Sequence, residues 1–370
     1  MDPDEPSPAP AVDPTSPTTT ATTTTATTMR AVVLTAHGGP EVLEVRSVPR
    51  PTPGPGEVLV EVAAAGCNNT DLWTREGAYD TPASGPAGWL GPMDLPRVQG
   101  ADVAGRVVAC GPDVDEALLD ARVLVDPAVY GPGGDDALPV DVLGSERDGG
   151  FAEYVVVPAA RAHRVDDSPL SDTELASLPI AYGTALGMLE RAALPSGATV
   201  LVTGASGGVG LAAVQLAAAR GLRVVAVCSG AKGEEVRRAG ADAVVDRTRG
   251  RVAADAAAAA PDGYDGVVDV VAGPLLADGL GLLRPGGRWV VAGALDGWEV
   301  TLDVRRLYLA DLALVGSTMH TPRVFDLLVD LARRGAVRPV VAATFGLPEV
   351  GAAQERLARR EHVGKLVVVP

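Results

Sequence analysis

From residue 29 to about 165 the apolar positions fall in short runs that alternate with polar ones, and Gly or Pro closes most of them. The runs are MRAVVLT from Met29, EVLEVRSV (41–48), GEVLVEVAAAG (56–66), VAGRVVACG (103–111), ARVLVDP (121–127) and GFAEYVVVP (150–158). Period-two alternation with turn residues at this spacing predicts a twisted, barrel-like β domain. Two Gly/Pro-rich stretches, 80–96 and 131–149, interrupt the pattern and read as long loops without internal structure.

From about 172 the period changes. Helix-like SDTELASL and AYGTALGMLERA lead into strand ATVLVTG and helix VGLAAVQLAAARG. Strand RVVAVC, helix KGEEVRRAG, strands AVVD and DGVVDVV, helix PLLADGLGLL and strand GRWVVAG follow. Near-continuous Val-rich strands separated by helices predict a parallel sheet covered on both faces. A strand near LALVGST, helix TPRVFDLLVDLARRG and strand GKLVVVP close the chain. Residues 1–28 form a Pro- and Thr-rich tail with almost nothing to bury. Either translation starts at Met29 or the tail is disordered.

The length, 370 residues, exceeds one ordinary core and fits two domains. A net charge of −16 argues against nucleic acid or an anionic membrane as partner, since both need a basic face. Cys67, Cys110 and Cys228 are odd in number and far apart, so no disulfide framework is expected. The acidic start MDPDEP lacks a secretory pattern, and no apolar run approaches the roughly 20 residues of a membrane helix. A cytoplasmic protein acting on a small molecule is the expectation. Aromatic residues are only 4% of the chain, which singles out Trp73, Tyr79, Trp89, Tyr130 and Tyr182 as candidate pocket walls.

The sharpest motif is Val202-Thr203-Gly204-Ala205-Ser206-Gly207-Gly208-Val209-Gly210, between a Val-rich strand and an amphipathic helix. A Gly-rich turn there lets backbone N–H groups approach a pyrophosphate, and the helix dipole favours its charge. Gly207 permits the close approach and Gly210 permits tight helix–sheet packing, with Ala205 at the first glycine position of the usual fingerprint. The end of the next strand, Val227-Cys228-Ser229-Gly230-Ala231-Lys232, carries no acid to accept from a ribose 2′-OH. Ser229 can donate to a 2′-phosphate and Lys232 can pair with it, which favours NADPH. The other reading of Lys232 is a solvated residue of the first helical turn.

The segments HGGPEVLEV, PTPGPGEVLVEVAAAG, VQGADVAGRVVACG, GGFAEYVVVP, GASGGVG, LRPGGRWVVAG and VGKLVVVP, in this order, resemble the medium-chain dehydrogenase/reductase superfamily. Within it the chain looks most like the zinc-free quinone oxidoreductase branch, related to zeta-crystallin, over residues 29–370. The resemblance implies an α/β fold. A GroES-like β-barrel catalytic domain would span 29–170 and 318–370, and a Rossmann doubly wound cofactor domain 171–317. It also implies a cofactor cleft between the domains and a homodimer through the strand around 309–317.

Zinc-dependent relatives carry a Cys-His pair in the segment that reads Cys67-Asn68-Asn69 here, and a Gly-His-Glu that reads Gly100-Ala101-Asp102. A third cysteine position falls near Ile180, and no cysteine lies between 111 and 227 for a structural zinc lobe. Amide and alkyl groups do not replace thiolate and imidazole, so no metal site is expected. The resemblance then implies hydride transfer to a quinone or an α,β-unsaturated carbonyl. Asn68 and Tyr79 would orient and stabilise the substrate oxygen, Tyr79 or water would give the proton, and Asp71 would serve the start of its helix. Tyr79 alternatively is only a pocket wall, and Asn68 only a structural amide. Thr184, Val291, Gly293 and Ser317 match segments that flank the nicotinamide. Loop 80–96, with Trp89, Trp73 and Met93, either forms an apolar lid or is an exposed loop with one anchoring Trp. Two other functions stay open: a zinc-independent alcohol dehydrogenase or ketone reductase, and a non-catalytic or redox-neutral cofactor-binding homologue.

Overall fold

The computed structural model describes residues 27–79, 89–91 and 93–370. The tail reading, except for its last two residues, and most of the lid reading of 80–96 therefore lie outside the described residues. Val-rich segments that bury both faces form a six-stranded parallel sheet ordered Ala243–Asp246, Arg223–Cys228, Thr199–Val202, Tyr264–Asp269, Leu283–Val291, Ala313–Gly316. Strand order reverses between Thr199–Val202 and Tyr264–Asp269, the switch point where open α/β sheets place their ligands. One face packs against helices Pro179–Ala192, Gly208–Ala219 and, through the first of these, Pro322–Arg333. The other face, with fully buried Tyr264 and Trp289, lies under Val252–Ala259 and Gly273–Gly279.

The alternating segments form the second body. Its larger sheet runs Ala162–Arg164, Arg122–Val125, Asp102–Cys110, Glu57–Gly66, Lys365–Val369, Val341–Gly346, with Tyr154–Pro158 also paired to Glu57–Gly66. A smaller sheet joins Leu43–Pro49, Thr28–Leu34 and Arg97–Val98. Lys365–Val369 therefore returns from beyond the parallel sheet and inserts beside Glu57–Gly66. This GroES-like barrel with a Rossmann-type sheet is the mixed α/β architecture expected.

The structure corrects the sequence reading in three places. Residues 131–149 are not structureless: Ala128–Tyr130 pairs antiparallel with Pro139–Val142 around a short 3-10 turn. Helix Val252–Ala259, which completes the crossover between Ala243–Asp246 and Tyr264–Asp269, escapes the pattern because its run of alanines carries almost no periodicity. Helix Val350–Arg359 and strand Val341–Gly346 are also additional. Among the described residues no helix is long and apolar enough to cross a membrane.

Candidate active site and dinucleotide groove

The Gly-rich turn sits at the switch point and is pinned from below. Asp269, fully buried at the end of its strand, accepts from Thr203 Oγ1 (2.6 Å), Trp289 Nε1 (2.8 Å) and the backbone N–H groups of Val271 and Ala272. The turn bends at Gly204 with φ +56°, and a Cβ on Gly210 would lie 2.2 Å from the Gly204 carbonyl oxygen. Only glycine lets the helix start that close to the turn. Gly204, Gly207, Gly208, Val209 and Gly210 line the cleft between the bodies, with Thr184, Gly293 and Ser317. Ser206, Ser229 and Lys232 line the groove that continues from it. Ala205 and Val291 line neither space. Ala205 is buried with its N–H on the Val227 carbonyl, and Val291 sits in the sheet beside Gly316.

Facing the turn is a buried polar cluster built from the barrel. Asp102 is fully buried, and its Oδ1 accepts from the Ile180 N–H (2.7 Å). Its Oδ2 accepts from Asn68 Nδ2 (3.0 Å) and from Lys365 Nζ (2.9 Å). Lys365 Nζ also donates to Asn68 Oδ1 (2.6 Å) and the Cys67 carbonyl (2.7 Å), so all three ammonium protons have acceptors. Lys365 is the residue that sequence reasoning missed at this wall; the signal available was its rarity, since it is one of two lysines. A Cβ on Gly208 would come within 2.8 Å of its side chain, so Lys365 lies against the dinucleotide turn. The Gly364 N–H donates to the Ser206 carbonyl (3.0 Å), which docks the turn onto the strand that carries Lys365.

Asp71 stands behind this wall. Its carboxyl Oδ2 accepts the Asn68 N–H (2.7 Å), capping helix Asn69–Arg75. Burial lifts the Asp71 carboxyl to about 7, against the Asn68 N–H and the Lys365 charge, which pull it down. Burial also pushes the Cys67 thiol well above its ordinary range, so it carries no thiolate near neutral pH.

Asn68, Thr184, Trp73 and Trp89 line the same cleft as Ile180 and Met319. Tyr79 does not; it packs edge-on against Trp73, centroids 5.9 Å apart, and burial and then Asp71 raise its phenol. Met93 is buried outside the cleft lining. Tyr130 and Tyr182 also lie outside it: Tyr130 donates to Asp126 (2.9 Å) and Tyr182 to Gln215 (2.7 Å). Asn69 and Thr70, adjacent to Asn68, line the cleft instead. Trp89 is fixed through its N–H on Ser145 Oγ (2.7 Å).

The groove beyond the turn is more basic than the sequence indicates. Arg247, Arg360 and His362 join Ser229 and Lys232 along it. Burial and the Arg247 charge draw Lys232 down, and its Nζ donates to the Arg360 carbonyl. Burial and then Lys232 lower His362 to about 4, so its imidazole is neutral at pH 7. Among the described residues Asp296 is the acid on this lining, while Asp246 lies outside it and accepts the Gly230 and Thr248 N–H groups (2.8 and 3.0 Å). Two buried polar atoms on these walls, Ser317 Oγ and His362 Nδ1, have no hydrogen-bond partner among the described residues. A ligand with acceptors for the first and an anion near the second would complete both.

The alcohol dehydrogenase GroES-like domain model matches residues 54–167, and the zinc-binding dehydrogenase model matches residues 208–334. The chain is 32% identical over 351 residues to the acryloyl-coenzyme A reductase of Metallosphaera sedula, covering 92% of this chain and 99% of that protein. It is 28% identical to the quinone oxidoreductase of Homo sapiens, covering 92% and 98%. A solved protein of Sinorhizobium meliloti 1021, assigned as an alcohol dehydrogenase, superposes with TM-score 0.89 at 45% identity, covering 94% of this chain and 98% of that one.

Proposed function

Because the chain belongs to the medium-chain dehydrogenase/reductase superfamily and is an oxidoreductase of that class, we propose that it reduces a quinone or an α,β-unsaturated carbonyl with NADPH. The observation that carries this reading is the wall opposite the dinucleotide turn. Zinc-dependent relatives place thiolate and imidazole there; this chain places Asn68, Asn69, Ile180 and the Lys365–Asp102 ion pair. An amide, an alkyl group and an already saturated ammonium offer no tetrahedral ligand set. Reduction of a conjugated C=C needs no Lewis acid on the carbonyl, because hydrogen bonds can hold the charge that develops on oxygen.

The groove fits a nicotinamide dinucleotide. The pyrophosphate would lie on Gly207 and Gly208, the nicotinamide carboxamide or ribose near Ser317 and Thr184, and the 2′-phosphate among Ser229, Lys232 and Arg247. Bound there, the cofactor supplies hydride. The chain's own residues exclude water with Trp73, Trp89, Ile180 and Met319, and present Asn69 and Thr70 as donors to a substrate oxygen. Asn68 acts as a positioning residue in this arrangement, since its amide is held on both sides. Tyr79 supports Trp73 from behind rather than donating a proton to substrate.

The same reading includes a homodimer. Edge strand Ala313–Gly316 has one neighbour among the described residues, and exposed Val304, Tyr308, Leu309 and Leu314 lie on or beside it.

Loss of NADPH absorbance at 340 nm with quinones, enones and simple ketones as substrates tests the proposal. Turnover of quinone or enone with little of ketone or alcohol supports it; alcohol or ketone turnover without enone turnover overturns it.

A further inference from the structure

Trp298 stands three residues after Leu295, which lines the cleft. It is 67% exposed, on the loop that joins Leu283–Val291 to helix Val304–Leu309. Its ring meets Trp73 edge-on, centroids 6.4 Å apart and planes at 72°. Trp73 lines the cleft from the other body, so the ring contact links the cleft lining to this exposed loop. In a chain with 4 Trp, 6 Tyr and 3 Phe, the joining of Trp298, Trp73 and Tyr79 in one contact chain needs a reason. A solvent-facing indole that meets its neighbour ring edge-on leaves a ring face open to a third ring.

The charge around the pair points the same way. Asp296 and Glu299 flank Trp298 and are exposed. Glu146 accepts the Leu90 and Gly91 N–H groups (2.6 and 3.1 Å) beside Trp89. Arg75, at the end of the helix that carries Trp73, turns inward onto Gln354 (2.8 Å) rather than toward the rim. The rim is acidic and aromatic, a poor match for a substrate that drags phosphates.

We propose that Trp298 and Trp73 are specificity-determining residues that grip a neutral, planar aromatic carbonyl and disfavour both aliphatic enones and coenzyme A thioesters. This rests on the reductase reading above.

Steady-state kinetics of the wild type, Trp298→Ala and Trp298→Phe with 1,4-naphthoquinone, but-3-en-2-one and crotonyl-CoA test it, with the oligomeric mass of each variant measured alongside. The expected order of kcat/KM in the wild type places 1,4-naphthoquinone first and crotonyl-CoA last. Trp298→Ala lowers the naphthoquinone to but-3-en-2-one ratio of kcat/KM about fivefold, the size of one aromatic contact, and Trp298→Phe restores most of it. An unchanged ratio, or crotonyl-CoA as the best substrate, overturns this inference and leaves the reductase reading standing. Equal losses on both neutral substrates with conversion to monomer also overturn it, because the ring then serves a subunit contact. A wild type that turns over alcohols but none of the three carbonyls removes the reductase reading, and this inference with it.

Discussion

The Lys365 ammonium donates to the Asn68 amide oxygen across 2.6 Å, joining residues 297 positions apart and fixing which way that amide points. Asp102 takes the opposite edge of the same amide and the same ammonium. The strand that carries Lys365 also holds the dinucleotide turn through Gly364. One buried ion pair therefore sets this cleft wall and the Gly-rich turn in register.

Removing one member of that pair leaves its partner charged and buried, which costs about 3–5 kcal/mol. Lys365→Met is accordingly expected to lower the urea midpoint strongly. Asp102→Asn leaves the ammonium two carbonyl acceptors, and its loss is expected to be smaller. The double variant Lys365→Met/Asp102→Asn should lose less than the sum of the single losses, since the second change removes the orphan the first creates. Additive losses measured in the full double-mutant cycle would show that the two groups do not act as a pair.

Cofactor choice is expected to follow the basic groove. Charge-assisted hydrogen bonds contribute about 1.5–3 kcal/mol, so Lys232→Ala and Arg247→Ala should each raise the Kd for NADPH about tenfold or more. The Kd for NADH should move less than about twofold, because NADH brings no charge to that end of the groove. Fluorescence titration with both nucleotides decides it. Equal weakening of the two would place these cations on the pyrophosphate or in the fold instead.

Asp71 gives a pH dependence with a definite sign. Its carboxyl titrates at about 7 when folded, raised from the ordinary 3.8 chiefly by burial. Between these values the folded chain holds a proton that the unfolded chain has lost, so stability falls as pH rises from about 4 to about 7 and is level above. Asp71→Asn keeps an oxygen for the Asn68 N–H and cannot ionise. It is expected to match the wild type in Tm near pH 4.5 and to exceed it at pH 8 by about 3 kcal/mol in stability. A wild type and variant with parallel Tm–pH curves would show that Asp71 is ionised throughout.

Legibility in the sequence followed the reach of each interaction. The Gly204–Gly210 turn is readable because close backbone approach constrains residues a few positions apart, and the Val-rich strands are readable because burial on both faces leaves no alternation. Lys365 reads as a polar residue opening a terminal strand, since its partners Asn68 and Asp102 stand 297 and 263 positions away. Arg247, Arg360 and His362 reach the cofactor groove from separate segments, and only the fold collects them. The resemblance gave Tyr79 a role at the substrate oxygen, yet the turn after helix Asn69–Arg75 places its ring against Trp73 and away from the cleft lining. The capping role of Asp71 is a local relation, three residues from Asn68, and such relations survive in the sequence.

The open sheet edge carries the last prediction. Among the described residues strand Ala313–Gly316 pairs with Leu283–Val291 on one side only, and an unpaired edge is a template for another strand. Leu314 is 39% exposed on it, and Leu309, Tyr308 and Val304 are 75%, 62% and 61% exposed on the helix just before it. Those apolar groups make solvent a poor neighbour, and a second copy related by a two-fold axis presents the same edge and the same side chains in return. Pairing the two edges would extend the parallel sheet across both copies without disturbing either cleft wall. The wild type is expected to sediment as a dimer. Leu309→Glu/Leu314→Lys places a charge on each of the two elements and should give a monomer that still binds NADPH. A wild type monomeric at micromolar concentration, or a double variant that stays dimeric, would locate any contact between copies elsewhere.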